Sequence, residues 1–169
     1  DLGTKFFEHF LYIAGAMQNI GDAGIELWDE TDEFYYDVLH LPSDKLIPLK
    51  IHSIVGLIPL FAVETIEPDM LDKLPDFKRR LEWFLNYRSD LAALISRWHE
   101  PGLGERHLLS LLRGHRMKRI FKRMLDETEF LSDYGVRSLS KYHKDNPYRF
   151  KVDHTVFKVT YQPAESDSR

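Results

Sequence analysis

Carboxylates stand beside aromatic rings at three places in this chain: Trp28-Asp29-Glu30, Tyr36-Asp37, and Glu129-Phe130 ahead of Tyr134. Carbohydrate chemistry uses these residue types together. Aromatic faces stack on sugar rings, while carboxylates bond hydroxyls or serve as general acid and base. Glycoside hydrolysis needs two carboxyl groups flanking one bond, ~5–5.5 Å apart for retention and ~6.5–9.5 Å apart for inversion. Spacing along the chain does not place any two of these carboxylates at such a distance. The run Asp29, Glu30, Asp32 and Glu33 reads rather as a solvated acidic turn.

Other chemistries lack their residues. Histidines occur at positions 9, 40, 52, 99, 107, 115, 143 and 154 without a HExxH or other metal-ligand spacing. With zero cysteines there is no disulfide framework, thiol nucleophile or thiolate-bound zinc. No nucleophile elbow and no phosphate-cradling glycine loop is present, and Gly102-Leu103-Gly104 reads as a flexible turn. The expectation is therefore no cofactor and no dedicated metal.

Charge is divided unevenly. Residues 1–76 carry 4 Lys/Arg against 15 Asp/Glu, and residues 77–169 carry 19 against 12, so that a −11 half and a +7 half make up the net −4. The plainer consequence is mutual attraction between the halves. The densest cationic run, 113–123, holds Arg113, Arg116, Lys118, Arg119, Lys122 and Arg123. Nucleic-acid binding asks for stacking side chains among such cations, yet Phe121 falls on the apolar stripe of this helix. We expect a solvated helix face and no nucleic-acid partner. No apolar run approaches the ~20 residues of a membrane helix, so no membrane partner is expected either.

The elements that must position these residues follow from periodicity. Leu2, Phe6, Phe10, Ile13, Met17 and Ile20 recur at helical spacing, and Phe7, Leu11 and Ala14 widen the stripe. A stripe that broad needs neighbours on more than one side. An aromatic strand from Phe34 to about Leu41 and a return over Leu46, Pro48, Leu49 and Ile51 predict a hairpin. The apolar run 54–63, interrupted by Gly56 and Pro59, predicts a buried helix, with a connector bracketed by Pro68 and Pro75. Helices are expected at 77–85 and across 106–126, the latter divisible at Gly114. A short extended segment begins at Val136 and Leu139, and a tight hairpin is expected around Asp153-His154. The chain thus reads as mainly α, with four to six helices and two β-hairpin excursions.

Three stretches taken in order carry a family resemblance: 24–37 (GIELWDETDEFYYD), 53–62 (SIVGLIPLFA) and 129–140 (EFLSDYGVRSLS). The chain resembles the catalytic region of glycoside hydrolase family 63-like proteins, related to mannosyl-oligosaccharide glucosidase and to bacterial mannosylglycerate hydrolase-like enzymes. The resemblance runs over essentially the whole chain. It implies an (α/α)6 barrel with substrate at one mouth of two helix rings. Twelve helices of ~11–12 residues with connections of ~5 need roughly 200 residues, so 169 residues are expected to be part of one barrel domain. A start at Asp1 and a stop at Arg169 agree with an internal segment.

The resemblance implies a hydrolase of α-linked gluco- or manno-configured sugars, acting with inversion on an oligosaccharide or small glycoside. It places the general acid ahead of this region and the general base after it, so no catalytic residue is assigned here. The substrate-binding candidates are Tyr134, Gly135, Arg137 and Ser138 at a loop lining the pocket mouth, with Trp28 and Glu165. Gly135 would permit the turn and Arg137 would bond sugar hydroxyls; a helix-ending turn with Arg137 in a surface ion pair is the other reading. Trp28 reads as a sugar-stacking ring or a packing anchor. The competing functional reading is a non-catalytic helical interaction module, docking an acidic partner through Arg116, Arg119 and Arg123.

Overall fold

Short antiparallel pairing recurs along the whole chain, between helices of unequal length. The computed structural model describes residues 2–19, 24–95, 100–152 and 154–163. In chain order the helices are α1 (Leu2–Gln18), α2 (Pro68–Lys73), α3 (Pro75–Tyr87), α4 (Ser89–Ala92) and α5 (Gly114–Met124). The strands are β1 (Trp28–Asp29), β2 (Phe34–Tyr35), β3 (Asp37–His40), β4 (Leu46–Leu49), β5 (Val63–Ile66), β6 (His107–Ser110), β7 (Leu131–Ser132), β8 (Gly135–Val136), β9 (Tyr148–Val152) and β10 (Thr155–Val159). They pair two by two into five antiparallel sheets, each between successive strands.

This corrects the expected mainly-α segment of an (α/α)6 barrel. Among the described residues α1, α3 and α5 are the only α-helices longer than two turns, and strands punctuate the chain between and after them. The physical reason lies in short apolar runs whose period is ambiguous. Residues 106–113 were expected to be helical, but His107–Ser110 instead pairs with Val63–Ile66, Ile66 opposite His107 and Val63 opposite Ser110. Four apolar-to-polar residues fit either period, and a partner 41 positions earlier in the sequence decides for strand. Gly114 then opens α5 rather than dividing a longer helix.

The run 54–63 is also not a buried helix. Ile54–Phe61 forms a 3₁₀ helix, which tolerates Pro59. Leu57 and Leu60 are buried, while Val55, Ile58 and Phe61 are exposed. Both sets repeat every three residues, as a 3₁₀ helix dictates. Pro68 and Pro75, expected to bracket a connector, start α2 and α3 instead. The first helical position lacks an intrahelical N–H partner in any case, and proline's fixed φ suits it. The hairpins expected over 34–51 and around 153–154 are present as β3–β4, with Asp37 opposite Leu49, and β9–β10, with Thr155 opposite Val152.

The chain divides into two compact units, one made of Asp1–Trp28 and Pro59–Lys118, the other of Asp29–Ile58 and Arg119–Arg169. The first has an aliphatic and aromatic core. Phe7, Leu11 and Ala14 of α1 pack with Leu71, Leu81, Phe84 and Leu91 of the following helices, and with Ile66 and Leu109 of the β5–β6 sheet. The Phe7 ring meets Phe77 and Phe84 edge-on at 6.3 and 6.2 Å, the favoured approach of two quadrupoles. Gly15 lets α1 approach Leu91 closely; a Cβ there would stand 2.9 Å from the leucine side chain.

The second unit is centred on aromatic rings. Phe34 and Phe130 are fully buried and stacked 5.9 Å apart at 15°. Gly56 lies so close to Phe34 that a Cβ would come within 2.3 Å of the ring and 2.5 Å of the Tyr35 carbonyl oxygen. Backbone bonds join three distant stretches: Ile54 N–H donates to the Ser138 carbonyl at 2.8 Å, Ser140 N–H to the His52 carbonyl at 2.8 Å, and Ser53 bridges Leu139.

Candidate functional site

Within the second unit, those backbone ties carry a polar cluster through the aromatic core. The acidic turn between β1 and β2 is its outer end. Asp29 Oδ1 accepts from the N–H groups of Thr31 and Asp32 at 2.9 and 2.8 Å, closing the turn on itself. Lys50 Nζ reaches both Asp29 and Asp32, at 2.7 and 3.0 Å. The lysine hydrogen bond holds the Asp29 carboxyl below the usual carboxylate range, and Asp29 in turn raises the Lys50 ammonium.

From Asp32 the cluster runs inward. Tyr36 Oη donates to Asp32 Oδ2 at 3.1 Å, so its oxygen accepts from His52 Nε2 at 2.8 Å. Burial, with the neighbouring Asp32, raises the Tyr36 phenol far above its ordinary value. The proton on His52 Nε2 leaves the Nδ1 lone pair facing Arg123 Nη1 at 3.4 Å. Burial, and then the Arg123 charge, pushes His52 down to about 4. It is neutral at pH 7, as this bonding requires. The His52 N–H donates to His143 Nε2 at 2.9 Å, which fixes the proton of that ring on Nδ1, bonded to the Asn146 carbonyl at 2.9 Å.

Arg123 is the hub. Its Nη1 donates to Glu129 Oε1 and Oε2 at 3.2 and 3.0 Å, and its Nη2 to the Asp32 carbonyl at 2.5 Å. The guanidinium lies 5.2 Å over the Phe34 ring. Ser140 Oγ donates to Glu129 Oε2 at 3.4 Å. Every group in this chain of bonds faces a protein partner. It fixes geometry rather than offering a free acid or base. Next to it Glu33, Arg119, Lys122, Arg123, Asp126 and Glu129 line a concavity of about 210 Å³ with charged walls of both signs.

Two residues beyond Glu129 the chain enters the β7–β8 hairpin. Leu131 pairs with Val136 and Ser132 with Gly135, leaving Asp133 and Tyr134 at the turn. Ser132 Oγ donates to the Gly135 carbonyl at 2.8 Å and accepts from Tyr134 N–H at 3.3 Å. Gly135 has φ 115°, a conformation L side chains avoid. Tyr134 is fully exposed at the tip. An aromatic ring with no packing partner, on a turn closed by its own hydrogen bonds, is available to a ligand.

The other candidates fall differently. Arg137 Nη1 donates to the carbonyls of Glu127, Glu129 and Leu131, and Nε to Tyr161 Oη at 3.2 Å. It clamps the base of the hairpin and forms no surface ion pair among the described residues. Ser138 is exposed, with its carbonyl bonded to Ile54. Trp28 is buried, with the Arg116 guanidinium 4.9 Å over its ring, as a packing anchor is. Glu165 lies outside the described residues.

Sequence reasoning gave no role to His52, Lys50 or His143, and it named Tyr36 and Arg123 without placing them in one cluster. The only signal for His52 was its position between Ile51 and the Ser53-Ile54 run. Much of the solvated face expected of α5 is present, with Lys118, Arg119 and Lys122 exposed and Arg116 and Arg123 half-buried. Arg116 pairs with Glu26 at 2.7 Å, Arg119 with Glu33 at 3.0 Å and Arg123 with Glu129 at 3.0 Å. Each of the three arginines of the interaction-module reading thus has a carboxylate partner in the chain, and Arg119 remains exposed. Among the described residues no group of three His, Cys, Asp or Glu is placed to hold a metal ion, and no helix is long and apolar enough to cross a membrane.

The chain is 43% identical to the uncharacterized protein YMR196W of Saccharomyces cerevisiae over 180 aligned positions, which cover 99% of this chain and 16% of that protein. It therefore spans about one sixth of the length of this relative. No protein-family profile matches the chain, and no solved structure matches it.

Proposed function

We propose that the chain is a segment of a glycoside hydrolase for α-linked gluco- or manno-configured sugars, with its catalytic carboxylates outside these residues. In this reading the chain contributes a binding rim: the β7–β8 hairpin carries Tyr134 against a sugar ring, with Gly135 and Ser138 beside it. Arg137 acts behind the rim, holding the hairpin by its carbonyls.

One observation carries the reading. Parts of all three stretches that carry the family resemblance meet in one folding unit, through Phe34 on Phe130, Gly56 on Phe34 and Ile54 on Ser138. Stretches so far apart in sequence have no local reason to converge. Their convergence leaves a lone exposed tyrosine at the tip of the hairpin they support.

The test is hydrolysis by the longer protein that contains this chain, across α-glucosides, α-mannosides and glyceryl glycosides. We expect release of monosaccharide from an α-linked member of the panel and none from the 169-residue chain alone. Tyr134→Ala in the longer protein should raise KM about three- to tenfold with kcat retained, the effect of losing one stacking contact of ~0.5–1.5 kcal/mol made equally in ground and transition states. No hydrolysis anywhere in the panel, or an unchanged KM in that variant, would contradict the reading.

A further inference from the structure

Helix α1 has two apolar faces, one buried and the other largely exposed. Phe7, Leu11 and Ala14 face the core of the first unit. Leu2, Phe6, Phe10, Ile13 and Met17 form a second stripe, at spacings of four, four, three and four. At 100° per residue the five fall within an 80° arc, centred about 110° round from the buried one. Leu2, Phe6 and Ile13 are 68%, 67% and 53% exposed, while Met17 is half-buried and Phe10 is half-buried against the core. A solvated helix would carry polar residues at these positions.

The stripe continues into a groove. Phe6 and Phe10, with Phe61, Met70, Leu74 and Phe77, are among the residues that line an apolar cavity of about 460 Å³, where Glu64 is the one charged wall. Anchors at i, i+4 and i+3 along one helix match the ridges of another helix rather than the two-residue period of a strand.

We infer that this face is the docking surface for an amphipathic helix contributed by the remainder of the same polypeptide. The inference rests on the reading of the chain as a segment of a longer protein. In the relative, about five sixths of the polypeptide lies outside the matching region, which supplies ample chain for the missing helix. A second copy of this chain and a lipid surface are the other possible occupants, and the test separates them.

The chain has no cysteine, so a single introduced thiol reports one position. Phe6→Cys and Ile13→Cys would be reacted with a maleimide in the isolated chain and in the longer protein, with Asp133→Cys at the exposed hairpin turn as control. Labelling is read by mass spectrometry of the peptide that contains the substituted residue. Expected is rapid labelling at positions 6 and 13 in the isolated chain, about 100-fold slower labelling in the longer protein, and equal labelling of the control in both. Equal rates at position 6 in the two proteins would overturn the inference. So would protection in the isolated chain with a dimer mass by light scattering, which assigns the face to a second copy. Protection that appears only when lipid vesicles are added would assign it to a membrane and overturn the inference too. Sugar release by the unsubstituted longer protein is scored separately, so slow labelling without hydrolysis keeps the docking helix and rejects the hydrolase.

Discussion

His52 shows how one residue in this fold couples burial to pH. Unfolded histidine titrates near 6.5, whereas the folded residue is held down to about 4. Between those values the unfolded chain takes up a proton that the folded chain refuses. Stability is therefore full above about pH 6.5 and falls as the pH drops towards 4. The total loss from this group is on the order of 3 kcal/mol. Urea midpoints between pH 7 and pH 4 should show the loss, and His52→Gln should remove most of that dependence. Gly56 is constrained by space instead. Gly56→Ala must displace the Phe34 ring or the Tyr35 backbone, and we expect a destabilisation of about 2–3 kcal/mol by chemical denaturation. At this scale the sequence was partly readable. Carboxylates beside aromatics were conspicuous, and Trp28 as a packing anchor was within reach. The partners of His52 were not, because Tyr36, Arg123 and His143 lie 16, 71 and 91 positions away.

Among the elements, α1 offers the sharpest contrast between its two stripes. Leu11 is fully buried and Ile13 is half exposed. In the isolated chain Leu11→Ala should cost about 3 kcal/mol, whereas Ile13→Ala should stay within ~0.5 kcal/mol. Equal effects would mean that the outer stripe is already covered. The same helix was legible in the sequence because seventeen residues give a period time to declare itself. So were the β3–β4 and β9–β10 hairpins, whose turns lie between alternating apolar runs. β6 was not, since four residues fit either period and its partner β5 is remote. The 3₁₀ helix was misread for a related reason: an apolar run with Gly56 and Pro59 reveals hydrophobicity, but its three-residue repeat alternates buried and exposed apolar groups.

For the molecule as a whole, the acidic first half and basic second half meet through particular pairs inside each unit. Glu8 with Arg80 and Glu26 with Arg116 join them in one, and Glu33 with Arg119 in the other. These pairs are the local form that attraction between the halves takes. The expected barrel did not follow, because family-like stretches specify how they pack on one another and not how many helices surround them. They do converge, and the proposed hydrolase depends on that. The most direct measurement is proton NMR of the anomeric signals during turnover of an α-linked glycoside by the longer protein. The account predicts that the β-anomer of the released sugar appears first and then mutarotates. Release of the α-anomer first, or no released sugar at all, would contradict it.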